Sequence, residues 1–254
     1  MSKNFWKESE DKILVEYYGK ISEKQLITLL PERSGPSIRM RTELLGIRKK
    51  QKITFFNENF FEIPNILNSY WAGFLAADGY VVNNCNKLGV ILAIKDKEHI
   101  LKFARDIDYR GRFVSRFRAF TTTPKRLKEQ FGIQINGAKK LILDLYTNYN
   151  ITQNKSKTLL PPNLQNDQLI DAFIVGYIDG DGSINEGKKS VSIRGTQEIL
   201  TWIRNRFASI IPTKTNPRIN SGIYIINFTN NTAIRLINYY KNIDVPKLER
   251  KWGK

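Results

Sequence analysis

Cysteine and histidine are nearly absent from this chain of 254 residues, which contains one of each, Cys85 and His99. A single cysteine cannot form an internal disulfide, and the two residues offer no cysteine-rich or histidine-rich zinc site. A bound metal ion would therefore depend on oxygen ligands, which favours magnesium-like ions. Because KDKEHILKFA has the spacing of an amphipathic helix, we expect His99 on a helix surface and not as a catalytic base.

Long apolar segments are also missing. No run approaches the roughly 18–20 apolar residues that are needed to cross a bilayer. The first residues, MSKNFWKESEDK, include acids and have no apolar core, unlike a signal or transit peptide. These two absences predict an intracellular protein with no membrane partner.

Acidic residues are outnumbered: 24 Asp and Glu face 41 Lys and Arg, which gives a formal net charge of +17. The hydrophobic content of 41% is ordinary for a globular protein. A cationic surface can serve solubility alone. A polyanionic partner explains an excess of this size better, and nucleic acid is the first candidate.

Residues 1–52 have the pattern of three short helices, a size typical of helix-turn-helix units. Residues 33–52 contain seven basic residues and one acid, and a basic third helix suits a DNA groove. The pattern FWKESEDKILVEYY…LP…RSGPSIRMRTELLGI resembles Myb/SANT-like helix-turn-helix domains, which implies DNA contacts by Arg39 and Arg41. A three-helix interaction module with a solvated cationic face is the alternative. We interpret residues 53–66 as a linker.

From about residue 66 the chain presents one pattern twice. SYWAGFLAADGYV, residues 69–81, and FIVGYIDGDGSI, residues 173–184, are apolar helix patterns that end in Asp-Gly. The two final aspartates, Asp78 and Asp181, are 103 residues apart, and strand and helix patterns follow each of them. This spacing predicts two structural repeats, residues 67–160 and 161–254.

The repeated helices carry small residues four apart, which lets two helix backbones approach closely. We assign this interface to Gly73, Ala77, Gly176 and Gly180. Packing the helices together would bring Asp78 and Asp181 together at their ends, with Gly79 and Gly182 as left-handed caps. Two such carboxylates repel each other unless a cation lies between them, and a divalent ion can also activate water against a phosphodiester.

A strand pattern downstream of the first motif separates charged from apolar side chains. In YRGRFVSRFRAF the arginines are even-numbered and the phenylalanines at 113 and 117 are odd, so they occupy opposite faces of a strand. RLKEQFGIQIN continues the alternation. A face of one charge sign that also carries amides suits contacts with phosphates and base edges. We assign this face to Arg110, Arg112, Arg116, Arg118, Arg126, Lys128, Gln130 and Gln134, with Arg194 in the second repeat.

Both repeated motifs resemble the LAGLIDADG motif of homing endonucleases, and the chain is similar to the single-chain, two-motif members over about residues 57–254. The resemblance implies an α+β fold of two pseudo-symmetric αββαββα repeats, whose antiparallel sheets form a saddle over DNA. It also implies a monomer that cuts both strands of a long, non-palindromic target with Mg²⁺ or Mn²⁺ and leaves short 3′ overhangs. A bacterial or phage-infected cell, in its cytoplasm or nucleoid, is the expected location, and an organelle is a further option.

The family's functional residues map onto several positions of this sequence. The last acid of each motif implies a metal site at Asp78 and Asp181, and we include the glycines that follow them, Gly79 and Gly182, in this site. The family tends to place a basic residue near the active site at the end of each repeat, which implies a catalytic role for Lys155 and Lys251. Ordinary solvated lysines fit the same positions. The motifs differ at one place, where the first has Ala76 and the second Asp179.

Two other functions fit the same pattern. Some members of the family act as intron maturases, so an RNA-binding splicing factor is one alternative. The second is a DNA-binding regulator that does not cleave. Both intron-encoded and free-standing genes are compatible with the sequence.

Overall fold

The computed structural model describes residues 5–47, 55–120, 123–187 and 189–253, with the side chains of residues 119–126 left aside. The chain divides into two compact units, Met1–Ile53 and Thr54–Lys254. Each unit has its own hydrophobic core.

The first unit contains three helices, α1 (Glu8–Tyr17), α2 (Glu23–Leu29) and α3 (Gly35–Leu44). Serine side chains cap two of them: Ser22 accepts a hydrogen bond from the Gln25 amide, and Ser34 accepts one from the Ser37 amide. The buried core of this unit is small and aliphatic: Leu14, Leu26, Leu30 and Ile38.

The second unit contains two successive repeats of helices and strands. The first repeat comprises α4 (Ile66–Asp78), β1 (Gly79–Val82), β2 (Lys87–Ala93), α5 (Lys97–Asp106), β3 (Phe113–Phe120), β4 (Thr123–Asn136), α6 (Lys139–Tyr149) and the short α7 (Lys155–Thr158). The second comprises α8 (Asp167–Asp181), β5 (Gly182–Asn185), β6 (Ser190–Gly195), α9 (Gln197–Ile210), β7 (Arg218–Asn220), β8 (Ile223–Thr229), α10 (Asn230–Lys241) and the short α11 (Glu249–Trp252). The predicted α+β class and the αββαββα order of both repeats are confirmed.

Each repeat forms one four-stranded antiparallel sheet, with the strand orders β1-β2-β4-β3 and β5-β6-β8-β7. The two sheets share a register: Gly79 lies opposite Val90 in the first, and Gly182 lies opposite Ile193 in the second. Val90 and Ile193 are fully buried, because the helices pack on that side of each sheet. The alternate side chains of both sheets therefore lie on an open face. No helix among the described residues is long and apolar enough to cross a membrane.

His99 is buried, with 3% of its surface exposed, so the expected surface position is wrong. Helix α5 turns the His99 ring toward the aromatic core, where its centroid lies 4.9 Å from that of Trp71 and 4.7 Å from that of Phe74. Nε2 of His99 lies 3.0 Å from the Tyr70 hydroxyl. Burial lowers the pKa of His99 to about 3, so the ring is neutral and packs as an aromatic side chain.

Candidate active site

Helices α4 and α8 pack so closely that backbone touches backbone. A Cβ atom added at Gly73 would lie 1.9 Å from the Phe173 carbonyl oxygen, and one added at Gly176 would lie 1.9 Å from the Tyr70 carbonyl oxygen. The two contacts are equivalent, since each partner in one repeat is 103 residues from its counterpart in the other. A Cβ at Gly180 would lie 2.2 Å from the Cβ of Ala77. The structure thus brings together all four residues assigned to the helix interface.

This packing brings the two motif aspartates to one place. Asp78 is the last residue of α4 and Asp181 the last of α8, one position beyond the contact between Ala77 and Gly180. Each repeat therefore contributes one carboxylate to the same site. Both side chains retain a solvent-exposed surface, so a ligand can reach them.

Gly79 and Gly182 follow the aspartates, and the expectation of left-handed caps is wrong. Their backbone angles are extended, with φ −73 and ψ 164 for Gly79 and φ −91 and ψ 161 for Gly182. Glycine is required for another reason: a Cβ would lie 2.6 Å from the Leu75 carbonyl oxygen in one case and 2.5 Å from that of Ile178 in the other. The chain can therefore turn directly from each helix into the first strand of its sheet.

Lys155 and Lys251 both reach the ends of the motif helices. Nζ of Lys155 donates hydrogen bonds to the carbonyl oxygens of Ala76 and Ala77, each at 2.7 Å. Nζ of Lys251 contacts the carbonyls of the second helix end at 2.5 to 3.2 Å: Ile178, Asp179, Gly180 and Gly182. The ammonium groups offset the negative ends of the helix dipoles beside the two carboxylates.

The four charges alter one another's protonation. Although Asp78 reaches solvent, the surrounding protein atoms partly desolvate its carboxylate; this effect and the charge of Asp181 outweigh Lys251 and Lys155 and raise its pKa to about 6. Burial also raises the pKa of Asp181, again opposed by the lysines. For Lys155 burial lowers the pKa to about 8, and for Lys251 burial likewise lowers it. The site therefore holds two acids and two bases that are all easier to neutralise than in water.

The donor set fits a magnesium-like ion. Asp78 and Asp181 offer hard carboxylate oxygens, and among the described residues no group of three or more His, Cys, Asp or Glu side chains forms a denser site. Mg²⁺ commonly binds through one or two carboxylates and completes its coordination with water and substrate phosphate. The site lacks the sulfur or imidazole ligands that would favour zinc.

Among solved structures, the chain is similar to the homing endonuclease I-WcaI bound to its DNA recognition sequence. The TM-score is 0.54 at 15% sequence identity, over 84% of this chain and 97% of that chain. The chain has the LAGLIDADG homing-endonuclease fold. It is also similar to mesophilic variants of the homing endonuclease I-DmoI (TM-score 0.47, 12% identity, 77% of this chain and 96% of that chain). The N-terminal LAGLIDADG domain of DUF199/WhiA is similar with a TM-score of 0.45 at 10% identity, over 74% of this chain and 90% of that chain. No family model and no curated protein matches the sequence.

The two LAGLIDADG helices differ at Ala76 and Asp179, and the structure gives Asp179 a structural role. Its carboxylate is buried and accepts hydrogen bonds from the Tyr70 hydroxyl at 2.6 Å, the Leu248 amide at 2.8 Å and the Trp252 indole at 2.6 Å. Burial raises the pKa of Asp179, and these hydrogen bonds oppose the rise. Sequence reasoning missed these three partners. The inequality of the two motifs was the only sign that one helix has an additional contact.

The open face of the first sheet carries the predicted basic and amide side chains in cross-strand pairs. Arg116 lies opposite Gln130, with Nε donating to Oε1 at 3.1 Å, and Arg118 lies opposite Lys128. Gln134 donates a hydrogen bond to the Tyr80 hydroxyl on the same face. The side chain of Arg126 lies outside the described part of the structure.

Arg110 and Arg112 lie before the strand and not in it, since β3 begins at Phe113. The chain turns at Asp108, which has a left-handed φ of 50, and Nε of Arg110 donates to the Asp108 carboxylate at 3.0 Å. The alternation of arginine and phenylalanine resembles a strand, but this turn decides where pairing begins.

The open face of the second LAGLIDADG sheet is different. Arg194 and Arg218 lie on either side of Ile225 in one row across β6, β8 and β7. A shallow cavity of about 170 Å³ lies beside this row, and its lining combines apolar and polar side chains: Arg194, Asn220, Ser221, Ile223 and Ile225.

In the first unit, the arginines of α3 are ion-paired. Arg41 donates from Nε and Nη2 to the Asp11 carboxylate at 2.8 and 2.5 Å, which ties α3 to α1. Arg39 is more exposed, and its Nη2 lies 3.2 Å from a Glu23 carboxylate oxygen. The basic residues at 48–50 and 52 lie outside the described residues.

Proposed function

We propose that this protein is a site-specific, divalent-metal-dependent DNA endonuclease that hydrolyses both strands of a long, non-palindromic duplex. The observation that carries the proposal is the pairing of Asp78 and Asp181 at adjoining helix ends, each beside a lysine that reaches the same helix end. Two helix C-termini, two acids and two partly desolvated lysines form an unfavourable arrangement for stability alone. Such arrangements are characteristic of catalytic sites.

Asp78 and Asp181 would hold the metal ion, which supplies positive charge to the phosphate and activates water for attack. Lys155 and Lys251 place fixed positive charge where negative charge develops on the phosphate. Their hydrogen bonds to main-chain carbonyls hold the ammonium groups in position, so little reorganisation is required during the reaction. Magnesium is the expected ion, and short 3′ overhangs are the expected product.

The substrate class follows from the two open sheet faces and the net charge of +17. Arg116, Arg118 and Lys128 in one sheet and Arg194 in the other supply phosphate and base contacts. The similarity to I-WcaI, which is bound to its DNA recognition sequence, supports a duplex DNA partner. One chain contains both acids, so a monomer has a complete site.

The first unit is proposed as a second DNA contact of the helix-turn-helix type. Arg39 is its most accessible described candidate, because Arg41 is bound to Asp11. The chain boundary of this unit is proposed at residues 1–52, with 53–66 as a linker to the endonuclease repeats. An intracellular location completes the proposal, and both an intron-encoded and a free-standing gene fit it.

The direct test is the selection of cleaved sites from a randomised duplex pool with magnesium present. We expect one enriched sequence in which the two half-sites differ, cut on both strands. Asp78→Asn and Asp181→Asn should bind this sequence without double-strand cleavage, and Glu198→Gln, an exposed acid on α9, is the control. Sequence-specific binding without cleavage by the unmodified protein would indicate a regulator. Stronger binding to structured intron RNA than to duplex DNA, at the same salt concentration, would indicate a maturase.

A further inference from the structure

The lysine-bearing segment at the end of the second repeat is attached to the first repeat by an ion pair. Nε and Nη2 of Arg250 donate to the two carboxylate oxygens of Asp96 at 2.6 and 2.9 Å. These two hydrogen bonds make the ion pair bidentate. Its Asp96 side is shielded from solvent, because Asp96 is 7% exposed. Arg250 immediately precedes Lys251, whose ammonium group lies at the end of α8.

The corresponding segment of the first repeat is attached to the second repeat in a related way. The hydroxyl of Thr196 donates to the carbonyl oxygen of Leu159 at 2.6 Å. Leu159 directly follows the short helix α7, which begins at Lys155, and its amide donates to the Lys155 carbonyl oxygen at 2.9 Å. Lys155 is therefore fixed through a contact with the opposite repeat, as Lys251 is.

The two anchoring residues occupy equivalent positions. Asp96 immediately precedes α5 and Thr196 immediately precedes α9, so each is the N-cap residue of the first α-helix after β2 or β6. The chemistry differs, because Asp96 forms a charged bidentate pair and Thr196 a neutral hydrogen bond. The hydroxyl of Thr196 also accepts a hydrogen bond from the Ile199 amide, whereas the side chain of Asp96 makes no such capping bond.

From these contacts we infer that Asp96 and Thr196 are positioning residues, each of which holds the active-site lysine of the opposite repeat in place. The inference rests on the proposed endonuclease function. Each repeat then governs the cutting of one strand partly through the other repeat. A displacement of about 1 Å in a catalytic group can reduce a rate by about 100-fold, so loosening one anchor should slow one strand.

The test uses supercoiled plasmid that carries the selected target, with each strand end-mapped. Lys251→Ala and Lys155→Ala first identify the strand that depends on each lysine. We expect Asp96→Asn and Arg250→Gln to accumulate nicked plasmid, with the strand that depends on Lys251 cut roughly 10-fold to 100-fold more slowly. Thr196→Val should slow the strand that depends on Lys155 by a smaller factor. DNA affinity should stay within about twofold of the unmodified protein, because these residues anchor the lysines and are not assigned to DNA contact.

Three variants serve as controls. Arg250→Lys and Thr196→Ser keep the charge or the hydroxyl and should restore part of the rate. Glu249→Gln removes an exposed ion pair with Lys102, 3.0 Å across, from the same segment and should cut both strands normally. Asp96→Asn leaves the Arg250 charge in place, whereas Arg250→Gln removes it. If both variants slow the same strand to a similar extent, the effect is due to loss of the ion pair.

The inference is overturned if Asp96→Asn and Thr196→Val slow the same strand, or slow both strands equally. It is also overturned if Glu249→Gln reproduces the nicked product. Absence of cleavage by the unmodified protein on every selected site would instead refute the proposed function.

Discussion

The two sheets can be compared row by row, because their strands pair in the same register. Where the first sheet has Ile91 beside Gly132, the second has Arg194 beside Ile225. Where the first has Arg116 beside Gln130, the second has Asn220 beside Ile223. Charged and apolar positions are therefore exchanged between the two open faces, although the backbones match.

The strands also differ in length. Strands β3 and β4 have 8 and 14 residues, whereas β7 and β8 have 3 and 7. Under the proposed function, the first repeat offers a longer and more basic surface, and the second a shorter surface with a cavity lined by both apolar and polar side chains. A protein with two such faces is suited to a target whose half-sites differ, whereas the shared acids are suited to a centre that treats both strands alike.

The largest expected effect is the loss of either shared acid. Under the proposed function, Asp78→Asn and Asp181→Asn should each reduce double-strand cleavage by on the order of 1,000-fold, because either change would remove a ligand of the metal ion. DNA affinity measured in calcium should change little. Metal-dependent cleavage at the normal rate by either variant would contradict the assignment of the site.

The second prediction separates the two faces by their electrostatics. Arg116→Ala, Arg118→Ala and Lys128→Ala combined should lower DNA affinity by about 10- to 1,000-fold at moderate salt. The slope of log affinity against log salt should become shallower by about 0.9 for each phosphate that the variant no longer neutralises. Arg194→Ala with Arg218→Ala should produce a smaller change in the slope. Equal slopes for the two sets would contradict the proposed inequality of the faces.

The third prediction concerns the first unit. A protein without residues 1–52 should bind the target about tenfold more weakly, with a shallower salt dependence, and should keep the same cleavage positions. The melting temperature of the remaining repeats should be unchanged, since they form their own core. Unchanged affinity and salt slope would exclude the unit as a DNA contact.

The fourth prediction transfers a residue between equivalent rows. Ile223→Gln gives the second sheet the amide that Gln130 provides in the first. Base preference should change at one or two positions of a single half-site, by about 1–3 kcal/mol, as repeated site selection would reveal. Ile219→Gln, at an exposed position on the opposite face, is the matched control and should leave the selected sequence unchanged.

The smallest effect is on stability, and its sign follows from Asp78. The pKa of this carboxyl is raised to about 6 in the folded protein, so folding favours its protonated form. Its contribution to stability is fully present below the ordinary aspartate pKa of 3.8 and is lost as pH rises from there through about 6. Without metal, Asp78→Asn should therefore raise the melting temperature slightly at pH 7.5 and by less at pH 5. Lower thermal stability at pH 7.5 would contradict this.

Much of the fold could be predicted because one unusual motif occurs twice. Small residues in an apolar helix are costly unless a second backbone lies against them, and the contacts of Gly73 and Gly176 show that partner. Four features depended on three-dimensional context and could not be predicted. His99 is buried because its neutral ring fits an aromatic pocket. The Asp179 carboxylate accepts a hydrogen bond from the Leu248 amide, which is 69 residues away in the sequence.

The other two concern local backbone. Arg110 and Arg112 alternate like strand residues, but a left-handed turn at Asp108 delays the strand. Gly79 and Gly182 were expected in a conformation that glycine favours, and they are extended instead. In both cases the residue type could be recognised in the sequence, and only the backbone path revealed why it is there.

Main-chain atoms form the closest contacts of the interface between α4 and α8, where the Phe173 carbonyl faces Gly73 and the Tyr70 carbonyl faces Gly176. Main-chain atoms are the same in every protein, so this contact places few demands on the side chains of either sheet. The open faces can change by mutation without shifting the acids. Under the proposed function, the DNA sequence that the sheets recognise can therefore change while the catalytic centre is kept, which allows a lineage to acquire new targets.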